Sequence, residues 1–329
     1  MHVLTLTNSA DAPFLNQQVG ALEERGVTFE TLAVGGEAGA GNSRSPLDYL
    51  RFVPEVLREA RDGYDLVHAH YGLTAPMALA QVRTPVVLSL WGSDVHGPVA
   101  PVSRACAPLC DEVVVMSEAM REALGVDCEV IPDGVDLDRF VPRSRSVARE
   151  AVGWSDDEYH VLFPYAPERE VKNYPLARRV VEAVDERLER PVRLRAVHGV
   201  DHAAVPDYVN AADALLLTSH SEGSPNSVKE ALACNVPVVA TDVGDVRERL
   251  AGVAPSTVAT TDRELVDGLT EVLERGGRSN GREAAREVSL EATADAMLAV
   301  YRRAVGTEGA AGRSRRPAAA SSSGPRTEA

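Results

Sequence analysis

Two glutamates, Glu222 and Glu230, are separated by seven residues that include a glycine, a proline and two serines. An ionised carboxylate accepts hydrogen bonds through two oxygens, which matches the vicinal hydroxyls of a ribose or a hexose. The residues between them, starting with Gly223, Ser224, Pro225, Asn226 and Ser227, read as a loop entering a helix, with Ser224 as cap and Pro225 in the first turn. Unpaired N–H groups in that turn, biased by the helix dipole, suit a diphosphate. One element can therefore grip sugar, phosphate and ribose. Glu222 is expected on the loop and Glu230 one to two turns inside the helix, both facing a cleft. Asn235 marks the left-handed exit that Gly or Asn tolerates.

Such a loop needs a scaffold, and the preceding chain supplies alternating apolar runs and amphipathic helices. Strands are read at "HVLTLT", "TFETLAV", "DLVHAH", "PVVLSL", "EVVVMS" and "EVIPDGVD", with helices such as "PFLNQQVGALEERG" and Ser117 to Leu124 between them. After a basic, loosely patterned connector at "DRFVPRSRSVAREAVG" the pattern restarts with "HVLFPYA", "VRLRAV", "ADALLLTS" and "VPVVAT". The fold class is therefore α/β, two doubly wound Rossmann-like domains facing across a cleft. The expected division is 1–145, 146–288, a terminal helix over 289–305 capped by Ser289, and a disordered tail over 306–329. At 329 residues, two domains are also the natural expectation from length.

Composition excludes several partners. The net charge is −15, and 32 of the 34 basic residues are arginine, leaving Lys172 and Lys229 as the only lysines. Acid excess with so little lysine fits either a high-salt cytoplasm or the codon bias of a GC-rich genome. Residues 1–140 carry 20 acidic residues against nine arginines, a net of −11 that repels nucleic acid and disfavours anionic membranes. Neither a membrane span nor a signal peptide is legible, so a cytoplasmic protein is expected. Cys106, Cys110, Cys128 and Cys234 read as unpaired thiols, and their spacing makes no metal site. The acidic "SDDE" at 155–158 reads as a solvated helix start.

The Glu-x7-Glu pattern followed by "ALACNVPVVATDVGDVRE" resembles retaining glycosyltransferases of the GT-B fold, family 4. "YDLVHAHYG", "PVVLSLWGSDV", "VVVMSEAMREAL", "VIPDGVDLDRFVP" and "VPDYVNAADALLLTS" extend the likeness over about residues 60 to 250. The last helix is similar to the one that crosses back to the first domain. The resemblance implies that Glu222 contacts the transferred hexose and Glu230 holds the donor ribose. Gly223, Ser224, Pro225, Asn226 and Ser227 would offer amides, and Lys172 with Arg169 would neutralise the leaving diphosphate. The spacing from Arg169 to Lys172 is shorter than the family's usual one. The first loop, "TNSADAPF", lacks the family's glycines, and Trp91-Gly92 stands where "HG" is usual. Trp91, Asp94 and His96 are then the acceptor-side candidates. His68 and His70 either line the cleft or pack, and Asp245 replaces an expected glycine. Lys229 reads as a neighbour of the motif that points elsewhere.

The implied reaction moves a hexose from a nucleotide-sugar to an acceptor hydroxyl with retained configuration, without metal or cofactor. The acceptor is open between a glycan, a lipid carrier and a small molecule. Two readings from other classes stand beside it. A nucleotide-sugar epimerase would form product from donor alone, and a non-catalytic nucleotide-sugar-binding homologue would bind without turnover.

Overall fold

The computed structural model describes residues 1–35, 44–61 and 63–306. Six strands, β1 (His2–Thr7), β2 (Thr28–Ala33), β3 (Leu66–His70), β4 (Val86–Ser89), β5 (Glu112–Val115) and β6 (Glu129–Val130), form a parallel sheet in the order β2-β1-β3-β4-β5-β6. A second parallel sheet joins β7 (Tyr159–Phe163), β8 (Val192–Ala196), β9 (Ala214–Leu217), β10 (Val238–Thr241) and β11 (Thr257–Ala259) in the order β11-β10-β9-β7-β8. Every residue of β3, β4 and β9 is buried. That is why these strands read as unbroken apolar runs: helices cover both faces of a parallel sheet.

In each sheet the strand order reverses beside the first strand, β1 or β7, and the loops leaving the carboxyl ends of those strands open a crevice there. Helix boundaries follow local chemistry. The Ser117 hydroxyl accepts from the amide of Met120 to start the helix Glu118–Leu124, which Gly125 ends at φ 72°. Ser289 likewise accepts from Ala292 at the start of the helix Leu290–Ala304.

Three places depart from the sequence reading. The connector after Phe140 is not loosely patterned, since Arg145–Val152 forms a helix whose Arg149 is buried against Asp213 at 2.6 Å. The segment 155–158 is a turn leading into β7 rather than a helix start. β11 escapes the pattern because three residues, mostly half-buried, give too short a run to show a period.

Two crossings tie the halves together. Val135, Leu137 and Phe140 already pack into the second core, so the chain has changed cores before residue 145. The helix Leu290–Ala304 returns to the first core through Ala294, Met297, Val300 and Tyr301. The Tyr301 hydroxyl lies 2.7 Å from Nδ1 of His68, and Arg25 pairs with Asp295 at 2.5 Å. The crossings meet each other, with the amide of Val135 donating to Val288 and that of Leu290 to Val135. Among the described residues no helix is long and apolar enough to cross a membrane, and no group of three or more His, Cys, Asp or Glu side chains is placed to hold a metal ion. The tail beyond residue 306 lies outside the described residues.

Candidate functional site

β9 ends at Leu217, and the chain runs through Ser219 and Glu222 into the helix Asn226–Ala233. Pro225, not Ser224, occupies the position before that helix, and no side chain caps it. Ser224 is diverted because its hydroxyl donates to Oδ2 of Asp245 at 2.8 Å. Asn235 exits at φ 56°, as its type foretells.

Lys172 comes to Glu222 from a separate element. It closes a single 3-10 turn, Glu170–Lys172, and its carbonyl accepts from the Thr218 hydroxyl at 3.0 Å, fastening the turn to the end of β9. Its ammonium donates to Oε1 of Glu222 at 2.5 Å and lies 3.9 Å from the centre of the Tyr165 ring. Ser219 donates to the same oxygen at 2.6 Å. No protein group among the described residues bonds the other oxygen of Glu222. Burial lowers the pKa of Lys172 while Glu222 pulls it back up, so a desolvated cation is held by one carboxylate. Arg169 is exposed, with its guanidinium carbon 5.8 Å from the Tyr165 ring centre.

Tyr165 links these cations to the helix start, its hydroxyl 2.5 Å from that of Ser227. A cavity of about 550 Å³ opens beside it, lined among others by Arg169, Val197, Tyr208, Ser227 and Glu230. A smaller one of about 210 Å³ shares Pro13, His202, Asn226 and Glu230 with it and adds Phe14 and Gln17 of the first half. The carboxyl of Glu230 thus borders both. Burial pushes it up to about 7, against the pull of Lys229 and Arg139.

The first-half wall is built by close backbone approach. A Cβ on Gly223 would stand 2.8 Å from the carbonyl oxygen of Trp91, and one on Gly92 3.5 Å from the amide nitrogen of Gly223. The approach itself requires a glycine at 223, while Gly92 is required by its φ of 129°. Trp91 lies between Phe14, 4.6 Å away by ring centres, and His70 at 5.7 Å.

One acceptor-side expectation needs correction. Asp94 is fully buried and spends its oxygens on the amides of Trp91, Gly92 and Gly72, so it shapes the loop instead of facing the cleft. His96 is exposed on the short helix Ser93–His96 and lines neither cavity. His68 and His70 are buried and pack against each other at 3.8 Å, with burial driving His70 down to about 3.

Sequence reasoning passed over Tyr165, Ser219 and Asp133, and it misplaced Lys229, which is 1 % exposed and bonded to the carbonyl of Asp133 at 2.8 Å. Tyr71 was also silent. It follows β3 at φ 99°, a strained value for a tyrosine, beside the Asp94 network. Tyr165 and Asp133 escaped because their partners come from distant segments, 62 residues away for Tyr165 and 93 or more for Asp133, whereas Ser219 and Tyr71 sit in the quoted motifs without a residue type that signals a role.

Comparison with known proteins bears on the family and the fold. Residues 2–139 match the family model described as "Glycosyltransferase Family 4", and residues 174–275 that of "Glycosyl transferases group 1". A relative from Bacillus subtilis, named as the teichuronic acid biosynthesis glycosyltransferase TuaC, is 32% identical over 233 residues, 60% of this chain and 59% of that relative's length. A D-inositol 3-phosphate glycosyltransferase of Geodermatophilus obscurus is 28% identical over 84% of this chain and 75% of its own. Among solved structures, the sucrose-phosphate synthase of Thermosynechococcus elongatus superposes with a TM-score of 0.74 at 19% identity, over 94% of this chain and all of that one. Anabaena HepE, solved with UDP-glucose, gives 0.63 at 18% identity, over 93% of this chain and 99% of that one. With both sheets arranged as in these GT-B glycosyltransferases and both family models spanning most of its length, the chain belongs to the group 1 glycosyltransferases of family 4.

Proposed function

We propose that this protein transfers a hexose from a nucleoside-diphosphate sugar to an acceptor hydroxyl, with retention and without a metal ion. The observation that carries this reading is the pairing of Lys172 with Glu222 on the loop whose helix presents Glu230 to the 550 Å³ cavity. The cavity has the size of a nucleotide site, with Val197, Tyr208 and Val209 offering an apolar bed for a base. Glu230 accepts from the ribose hydroxyls. The amides from Gly223 to Ser227 meet the diphosphate and sugar. HepE supports a nucleotide-sugar donor by analogy of fold, since that protein was solved with UDP-glucose.

Charge grows on the diphosphate as the anomeric bond lengthens. Lys172, Arg169 and the helix start stabilise that charge electrostatically. Glu222 keeps Lys172 oriented through one oxygen and offers the other to a hexose hydroxyl. The acceptor oxygen attacks from the face the leaving group vacates, and its proton passes to the departing phosphate. The Trp91–Gly92 loop, pressed onto Gly223, keeps water from the reacting carbon.

A thermal-shift panel of UDP, GDP and their glucose and mannose sugars, with and without EDTA, tests the donor half. A rise with one nucleotide family, unchanged by EDTA, is expected. No rise with any of them would sink the reading. Mass analysis of the product from a mixed acceptor set, with its anomeric coupling constant read by NMR, tests transfer and retention. Release of altered sugar from donor alone would instead favour an epimerase.

A further inference from the structure

Lys229 precedes Glu230 on the helix Asn226–Ala233, among Val228, Ala231 and Leu232, all fully buried. An apolar residue would fill this place at no electrostatic cost, whereas a buried ammonium costs several kcal/mol unless it is well paired. Its pairing is specific. The ammonium donates to the main-chain carbonyl of Asp133 at 2.8 Å and to the Ser224 hydroxyl at 3.1 Å. Ser224 in turn donates to Asp245, and Asn226 donates to the Asp133 carboxylate at 3.3 Å. Asp133 and Asp245 therefore flank the cation, one from the first crossing and one from the loop after β10. Asp245, bonded to Ser224 and paired with Arg249 at 3.4 Å, reaches the lysine through the Ser224 hydroxyl.

The position of Asp133 gives the arrangement its meaning. Residue 134 is pinned to the returning crossing, since a Cβ on Gly134 would lie 2.4 Å from Thr293 Oγ1 and 2.7 Å from Leu290 Cα. Val135 is bridged to Ser289. Lys229 thus joins the donor loop to the point where both interdomain crossings meet. Buried oxygens without a partner remain in the same cluster, Oδ1 of Asn226 and Oδ1 of Asp245, so it is not saturated by protein groups.

We infer that Lys229 is a positioning residue for donor binding: its ammonium locks Ser224 against the interdomain crossing, so that the loop amides meet the diphosphate only while that joint is in place. It acts through the loop and does not itself touch the donor. This inference rests on the proposed donor site, and the test separates the two. Wild type, Lys229→Met, Lys229→Arg and Ser224→Ala are titrated calorimetrically with whichever of UDP, GDP, UDP-glucose or GDP-mannose raises the wild-type unfolding temperature, and donor KM and kcat are measured. Wild type that binds none of them removes the donor site and this role with it.

If wild type binds, Lys229→Met is expected to weaken donor affinity about tenfold and raise donor KM to match, with kcat within about twofold. Lys229→Arg should restore most of that loss, because a guanidinium still donates to the Asp133 carbonyl. Ser224→Ala, which keeps the lysine paired to Asp133, should weaken donor binding several-fold, and it decides the matter should Lys229→Met fail to fold. A folded Lys229→Met with wild-type donor affinity overturns the inference. So does loss in Lys229→Met and Lys229→Arg alike with Ser224→Ala binding as wild type does, which would leave Lys229 a role in folding alone.

Discussion

Glu230 and Lys172 do different work, and their environments separate the two by experiment. A carboxyl pushed up to about 7 is about half neutral in the free protein at that pH, whereas accepting from ribose hydroxyls favours the ionised form. Donor binding then releases a proton. Affinity should rise as pH climbs from 6 to 8, approaching tenfold per unit below pH 7 and levelling above it, and Glu230→Gln should bind weakly with no such limb. Calorimetry at three pH values checks this, and an equal slope in the variant would remove Glu230 from the site. The same shift has the opposite sign for folding. The folded state binds the proton more tightly, so ionising Glu230 between about pH 4.5 and 7 costs stability that the glutamine avoids. Lys172→Ala should instead leave donor affinity within about threefold and cut kcat by 10²-fold or more, because its charge matters most when the diphosphate departs. Comparable losses in both would make it a binding residue only. Both residues were legible because their motifs are contiguous. The Lys172 ion pair was not, since 50 residues separate its partners in sequence.

The loops that present these groups are legible to different degrees for physical reasons. β3, β4 and β9 announce themselves because burial on both faces leaves runs of apolar residues, and the alternating runs around them mark most of the other strands, while β11 is too short to do so. The start of the helix Asn226–Ala233 reads as a Ser224 cap, yet tertiary pairing with Asp245 takes the serine away, and no local rule could anticipate it. Asp94 misleads in the same way: a carboxylate in a loop near a cleft looks chemical until three backbone amides are found on it. What that carboxylate shapes is the Trp91–Gly92 loop, whose contact with Gly223 is backbone on backbone. Gly223→Ala should therefore act as a wedge. A methyl group 2.8 Å from the Trp91 carbonyl cannot be absorbed by a side-chain rotation, so the loops must part. Donor kcat/KM should fall at least tenfold with little change in unfolding temperature. Unaltered kinetics would show that the contact is dispensable.

How the two halves are held together follows from the path of the last helix. Leu290–Ala304 comes after the second sheet in sequence but buries its apolar stripe in the first core. The first domain is thus completed by residues that arrive last. Tyr301 is the polar anchor of this return, fully enclosed, with its hydroxyl against His68, whose other ring nitrogen lies 2.8 Å from the Ser89 hydroxyl. Burial keeps His68 neutral over the working range, so the link is a neutral hydrogen bond that pH does not switch. Tyr301→Phe preserves the ring and leaves His68 Nδ1 without a partner in a dry site. The expected cost is about 1 to 3 kcal/mol in urea unfolding followed by a first-half probe such as Trp91 fluorescence. Because the two crossings are bridged at Val135 and Ser289, loosening the helix should also slacken the joint next to the donor loop. The variant is then expected to lose donor-induced stabilisation in excess of its own destabilisation. If the donor raises the unfolding temperature of Tyr301→Phe as much as that of wild type, the returning helix braces the first domain without reaching the donor site.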